Sequence, residues 1–239
     1  RGVRVVGLGT DDDDGGAAAA AGWTALHMAV MRQQQGTADV ATALTAAAAG
    51  DGAGGVDVRV TGGWAAGYTA LQLAAAVGGE AEVRQLVAAG ADVGATVVAG
   101  GWWQLTALSV AAACGRVGVL RVLVEELGAD VNAGGGDDDV EETALTAAAR
   151  CGREAAVAAL LDMGAAIDQL DGRGDSALHC AMERKRDAVA RLLIARGADL
   201  DVRDMRRSPP MATAARCGSV AGVAMLCAAG ADVNAAGCV

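Results

Sequence analysis

The sequence predicts an all-α solenoid of about six stacked helix-turn-helix units with extended finger loops, and three observations predict it. First, a hydroxyl-Ala-Leu mark recurs along the 239 residues at Thr24, Thr69, Thr106, Thr143 and Ser176, and in altered form at Pro209. The last two intervals, 143 to 176 and 176 to 209, are both 33 residues; the earlier ones of 45, 37 and 37 are that period plus insertions. Second, fixed positions after each mark keep their chemistry. Position +2 is Leu26, Leu71, Leu108, Leu145, Leu178 and Met211, position +5 is always Ala, and position +17 is Leu86, Leu123, Leu160, Leu193 and Leu226. Third, aromatics are nearly absent, with no Phe, one Tyr and four Trp. A globular core of this size would use more of them, whereas helix pairs packed through Ala and Leu do not need them. A lone pair of such short helices cannot bury both its faces, so the units must stack.

Residues 1–21 form a low-complexity segment or the remnant of a preceding repeat. Asp11–Asp14 lack the alternating ligands and closing Glu of a calcium loop and suit a solvated linker. The chain begins at Arg1 without Met and reads as a piece of a longer protein, or as a gene model with an uncertain start. One repeat domain, 22–239, is expected, with units starting near 22, 67, 104, 141, 174 and 207. The first is irregular: Gln33–Gln35 lengthen its turn, and GDGAGG precedes the extended Val56–Val60. The second has a finger four residues too long, which contains Trp102 and Trp103. The third carries one extra residue near Glu125–Leu127 and ends in the finger GGGDDDVEE. The fourth and fifth have normal length and connect through Asp168–Asp175 and Asp201–Ser208.

The fifth unit shows the plan most clearly. Ser176 caps a helix with Leu178, Ala181 and Met182 on its inner face. A charged break at Glu183–Asp187 leads to a second helix with Val189, Leu192 and Leu193 inward, ended by Gly197. Each hydroxyl cap stabilises its helix by about 1 kcal/mol. Gly78, Gly115, Gly152 and Gly218 suit the turn between paired helices. In the sixth unit Pro209 replaces the hydroxyl, and no following polar unit covers its apolar side, a face expected to fray or to meet further chain.

The motifs TALHMA at Thr24, SALHCA at Ser176, and GADVNA at Gly128 and Gly230 resemble the ankyrin repeat, with its Thr-Pro-Leu-His opening and Gly-Ala-Asp-Val-Asn ending. The resemblance covers residues 22–239. It implies that His27 and His179 support the capping hydroxyl and the neighbouring loop. It also implies a partner bound by finger tips and the concave face of the first helices, and it leaves open modification of finger asparagines such as Asn132 and Asn234.

Net charge is −10 overall and uneven: −5 over residues 1–100, −8 over 101–172 and +3 over 173–239. An acidic chain argues against nucleic acid or an anionic membrane as the main partner. No run approaches the ~20 apolar residues of a membrane span. Cys114, Cys151 and Cys217 share position +8, and equivalent positions in stacked units lie ~8–10 Å apart, too far for a disulfide. Free thiols and a cytoplasmic or nuclear setting are expected. With two His in the chain no Ser/His/Asp or Cys/His arrangement is credible, the Cys spacings match no zinc pattern, and no cofactor or metal is expected.

The expectation is therefore a non-catalytic scaffold or adaptor, monomeric, that binds a protein partner. The alternative is the targeting segment of a larger ankyrin-containing kinase, ubiquitin ligase or channel. Departures from the period mark the candidate contacts: Trp64 and Tyr68, Trp102 and Trp103, the acidic finger Asp137, Asp138, Asp139, Glu141 and Glu142, and the basic finger Arg203, Arg206 and Arg207.

Overall fold

The computed structural model describes residues 57, 59, 67–99, 103–134 and 142–234. The chain falls into two compact units, Arg1–Ala129 and Asp130–Val239.

In the first unit, α1 (Ala70–Val77) and α2 (Glu80–Ala88) form one antiparallel pair. The strands β1 (Val97–Ala99) and β2 (Trp103–Leu105) come next, and then α3 (Ala107–Cys114) and α4 (Val117–Arg121) form the second pair. First helix packs on first helix, α1 on α3. Two insertions seen in the sequence acquire structures here. The overlong second finger folds into a small antiparallel hairpin, with Val97 opposite Leu105 and Ala99 opposite Trp103, so the helical fold carries a two-stranded sheet. The extra residue of the third unit is absorbed by a π turn at Val122–Glu126, where the Leu127 N–H reaches the Val122 carbonyl at 3.0 Å. A π turn takes up one added residue, and because that residue falls after position +17, Leu123 keeps its buried place.

The second unit holds three pairs: α5 (Ala144–Cys151) with α6 (Glu154–Asp162), α7 (Ala177–Glu183) with α8 (Asp187–Ala195), and α9 (Pro210–Arg216) with α10 (Val220–Ala228). First helices pack in the row α5, α7, α9, and second helices in the row α6, α8, α10. The core lies between the rows. Leu160, Leu193 and Leu226 at +17 are fully buried, as are Leu178, Ala181 and Met182. Leu192, expected inward, is only half-buried, while Ala190 takes the inner position.

Capping agrees with the sequence. Thr69, Thr106, Thr143 and Ser176 each adopt extended φ/ψ and accept the backbone N–H three residues on. Thr24 lies outside the described residues. Pro209 occupies the cap position, with Pro210 in the first helical turn, where no intrahelical donor is lost.

The mid-repeat glycine has two reasons to be glycine. Gly152 has φ +70, and a Cβ there would lie 2.9 Å from Cδ of Arg186, whose Nε donates to the Arg150 carbonyl. Gly78 stands in the same relation to Arg116, whose Nε donates to Ala76. In the fifth unit the equivalent residue is Lys185, held at φ 53. Lys185→Gly is therefore expected to stabilise the protein by about 0.5–1 kcal/mol, the relief of left-handed strain less the added freedom of the unfolded chain. Urea unfolding of the two proteins checks it; an unchanged midpoint would mean the lysine carries no strain.

Candidate partner-binding surface

The fingers are held by side chains reaching from one repeat to the next. His179 is buried within α7. The Ser208 carbonyl can only accept, so Nε2 of His179 carries the proton and donates to it at 3.0 Å. Nδ1 then accepts from Ser176, whose backbone N–H and hydroxyl lie at 3.3 and 2.9 Å. One imidazole thus closes its own cap and clamps the finger 29 residues on.

Gln72 does the same work without an imidazole. Its Oε1 accepts the Thr69 N–H at 2.9 Å, and its Nε2 donates to the Ala95 and Leu105 carbonyls, both at 3.0 Å. The amide oxygen replaces Nδ1, and the amide NH2 spans both sides of the hairpin finger. Sequence reasoning missed this residue. The signal was its place at +3, the His position, occupied by a side chain with one acceptor and two donors. Ser109 and Thr146 hold the same position but are too short to cross: their hydroxyls turn back to the carbonyls of Thr106 and Thr143.

Two fingers of the second unit are rigid Asp-anchored turns. Asp171 Oδ1 accepts the N–H groups of Arg173 and Asp175, and Asp204 Oδ1 accepts those of Arg206 and Ser208, at 2.7–3.0 Å. Gly174 takes φ 73 at the third turn position and Arg207 takes φ 58 in its place. With the backbone satisfied internally, the tip side chains point outward: Arg203, Arg206 and Arg207 are exposed, and Met205 is 68% exposed. Arg203 also donates to the Arg207 carbonyl at 2.8 Å, which fixes the basic finger further.

Behind the fingers lies a buried charge cluster. Glu142 and Arg150 form an ion pair with both side chains largely buried. Asp171 is buried too; its Oδ2 has no hydrogen-bond partner, and burial pushes its carboxyl above the ordinary range against the pull of its two backbone N–H bonds and the Arg150 charge. Asp175 is also pushed up, chiefly by burial and then by the Asp171 charge.

The sequence candidates fare unevenly. Arg203, Arg206 and Arg207 share one exposed finger. Tyr68 is 4% exposed, and burial raises its hydroxyl pKa to about 12. It packs inside rather than offering a surface, as a ring preceding a cap does when the helix layer covers it. Glu142 is likewise buried, drawn in by Arg150. Trp103 has its backbone on β2; its side chain, Trp64, Trp102, Asp137, Asp138, Asp139 and Glu141 lie outside the described residues. Cys114, Cys151, Cys180, Cys217 and Cys227 are free thiols. Among the described residues no group of His, Cys, Asp and Glu could hold a metal ion, and no helix is long and apolar enough to cross a membrane.

The repeating cap, turn and finger clamp match a known architecture. The family model described as ankyrin repeats in three copies matches residues 133–204 and 167–236, and that for the single ankyrin repeat matches 103–135, together more than half of the chain. The chain belongs to the ankyrin repeat family. No curated protein matches it significantly. Ankyrin repeats are generally protein–protein interaction modules and typically non-catalytic.

Proposed function

We propose that this chain is a non-catalytic scaffold or adaptor that binds a protein partner through its finger loops and the adjoining face of the first helices. The observation that supports this most is the basic finger. Asp204 and His179 immobilise its backbone, so Met205, Arg206 and Arg207 are displayed on a loop already ordered before binding. Preorganisation of this kind lowers the entropy cost of association. The loop stands in the net-positive section of the chain, which suits a partner with an acidic face. The two tryptophans of the second finger, Trp102 and Trp103, belong to the same proposal as a second contact.

Affinity capture on the immobilised wild-type chain and on Arg203→Glu/Arg206→Glu tests it. The variant is expected to keep its far-UV circular dichroism and to recover at least tenfold less of a specific partner. Undiminished recovery would remove the basic finger from the interface. The Trp102→Ala/Trp103→Ala variant, run beside it, separates the aromatic contact from the electrostatic one.

A further inference from the structure

The fourth and fifth repeats are each covered on one side by the repeat that follows, and the covered positions can be compared along the stack. Thr146, Ala149 and Val157 of the fourth repeat are fully buried, and so are His179, Met182 and Ala190 at the same places of the fifth. The first unit agrees: Ala75 and Val83 are fully buried where α1 and α2 meet the next pair. The equivalent residues of the sixth repeat are Ala212, Ala215 and Val223. Ala215 is exposed and the other two are half-buried. The end of the second helix and the finger repeat the contrast. Leu161 and Ile194 are half-buried where Cys227 is exposed, and Ile167 and Leu200 are half-buried where Val233 is 64% exposed.

The last helix also lacks the surface chemistry of its neighbours. α6 carries Glu154 and Asp162, and α8 carries Asp187 and Arg191, whereas VAGVAMLCA of α10 contains no charged, hydroxyl or amide side chain. A helix apolar on all sides belongs inside a packed structure, and the terminal unit of a solenoid needs a polar outer face. One polar group on the same edge says which layer suits this face. Between repeats, a side chain at the base of one finger accepts a backbone N–H of the next. Asn132 Oδ1 accepts from Ala166 at 2.8 Å, and Asp168 Oδ1 accepts from Asp199 at 2.9 Å. Asn234 is built as Asn132 is: its N–H donates to Asp232 Oδ1 at 2.8 Å, as that of Asn132 donates to Asp130 Oδ1 at 2.9 Å. Among the described residues the Asn234 carboxamide accepts no such N–H.

We propose that the outer face of the sixth repeat is an inter-repeat surface, and that it receives a further ankyrin-type helix pair carried on the same polypeptide. The pair lays its first helix on α9 over Ala212 and Ala215, its second on α10 over Val223 and Cys227, and its finger over Val233. Asn234 Oδ1 accepts a backbone N–H of that finger. A second copy meeting this face across a two-fold axis would set acceptor edge against acceptor edge. The occupant therefore stacks in the direction in which α9 and α10 stack on α7 and α8. A lone helix pair in solution is too short to hold its own fold, which is why the same polypeptide supplies it. The inference concerns the end of the stack and is independent of what the fingers bind.

The test compares hydrogen exchange of α10 in the full chain and in the same chain extended after Val239 by a copy of residues 174–206, one period of the array. The α10 amides are expected to exchange about tenfold more slowly in the extended chain, because covering the face suppresses local opening. Ala215→Lys should abolish that protection in the extended chain, yet leave the melting temperature of the full chain unchanged, since Ala215 is exposed there. Asn234→Ala should reduce the protection about threefold, the loss of one hydrogen bond. Unchanged exchange in the extended chain, or protection that survives Ala215→Lys, would overturn the proposal. Sedimentation of the full chain at the concentrations of the exchange experiment supplies the last arm. A monomer is the expected result, and a dimer whose formation protects α10 would give the face to a second copy and overturn the proposal.

Discussion

Leu193→Ala is expected to destabilise the protein by about 3–5 kcal/mol. Leu193 is fully buried in α8, and α8 packs against α7, α6 and α10. Removing the isobutyl group forfeits its transfer free energy, and the cavity left behind can collapse only if helices on several sides move. In a stacked array the loss is felt at two inter-repeat contacts as well as within the repeat, because stability there is close to a sum of repeat and neighbour terms. Leu192, one residue earlier and half-buried, provides the control; truncating it should cost about 1 kcal/mol or less, in proportion to the area it buries. Urea unfolding of both variants checks the pair. Equal costs would contradict the inward register of α8.

Arg150→Met is expected to cost about 3–5 kcal/mol at neutral pH, because it leaves buried carboxylates without their cation. Arg150 is paired with Glu142 and lowers the proton affinity of Asp171, whose carboxyl is already held above its ordinary range by burial. Linkage gives the sign. A carboxyl whose folded pKa exceeds its unfolded value binds more protons in the native state, so stability falls as pH rises from the unfolded pKa through the folded one. Loss of Arg150 pushes Asp171 further up and widens that window. The deficit of the variant relative to wild type should therefore shrink as pH is lowered from 7 toward 5. Denaturant unfolding of both proteins at the two pH values measures it. A deficit that is constant with pH would mean that Arg150 contributes through packing of its aliphatic stem rather than through charge.

Both predictions depend on information of different origin. Leu193 was legible in the sequence, because a 33-residue register places a leucine at +17 in five units, and a fully buried position tolerates little else. The Arg150 cluster was not. Its members come from a finger, a helix end and the next finger along, and nothing in their spacing distinguishes an arginine that turns inward from the solvated arginines around it. Glu142 and Tyr68 were surface candidates for the same reason: charge and aromaticity announce themselves in a sequence, whereas burial depends on what the neighbouring layer brings.

Local and periodic constraints are what the amino-acid sequence determined by itself. Hydroxyl caps, left-handed glycine turns and the leucine register each depend on a few residues within one unit, and repetition makes them visible. Contacts between units were decided by the tertiary structure. A π turn absorbed the added residue near Glu125, the long second finger closed into a hairpin, Gln72 took over the clamp that His179 performs in the fifth unit, and Thr213 was buried without a partner. In each case the deciding partner lies in the geometry of an adjacent turn, strand or repeat, and an amide and an imidazole are equivalent only once the distance to the next finger is known.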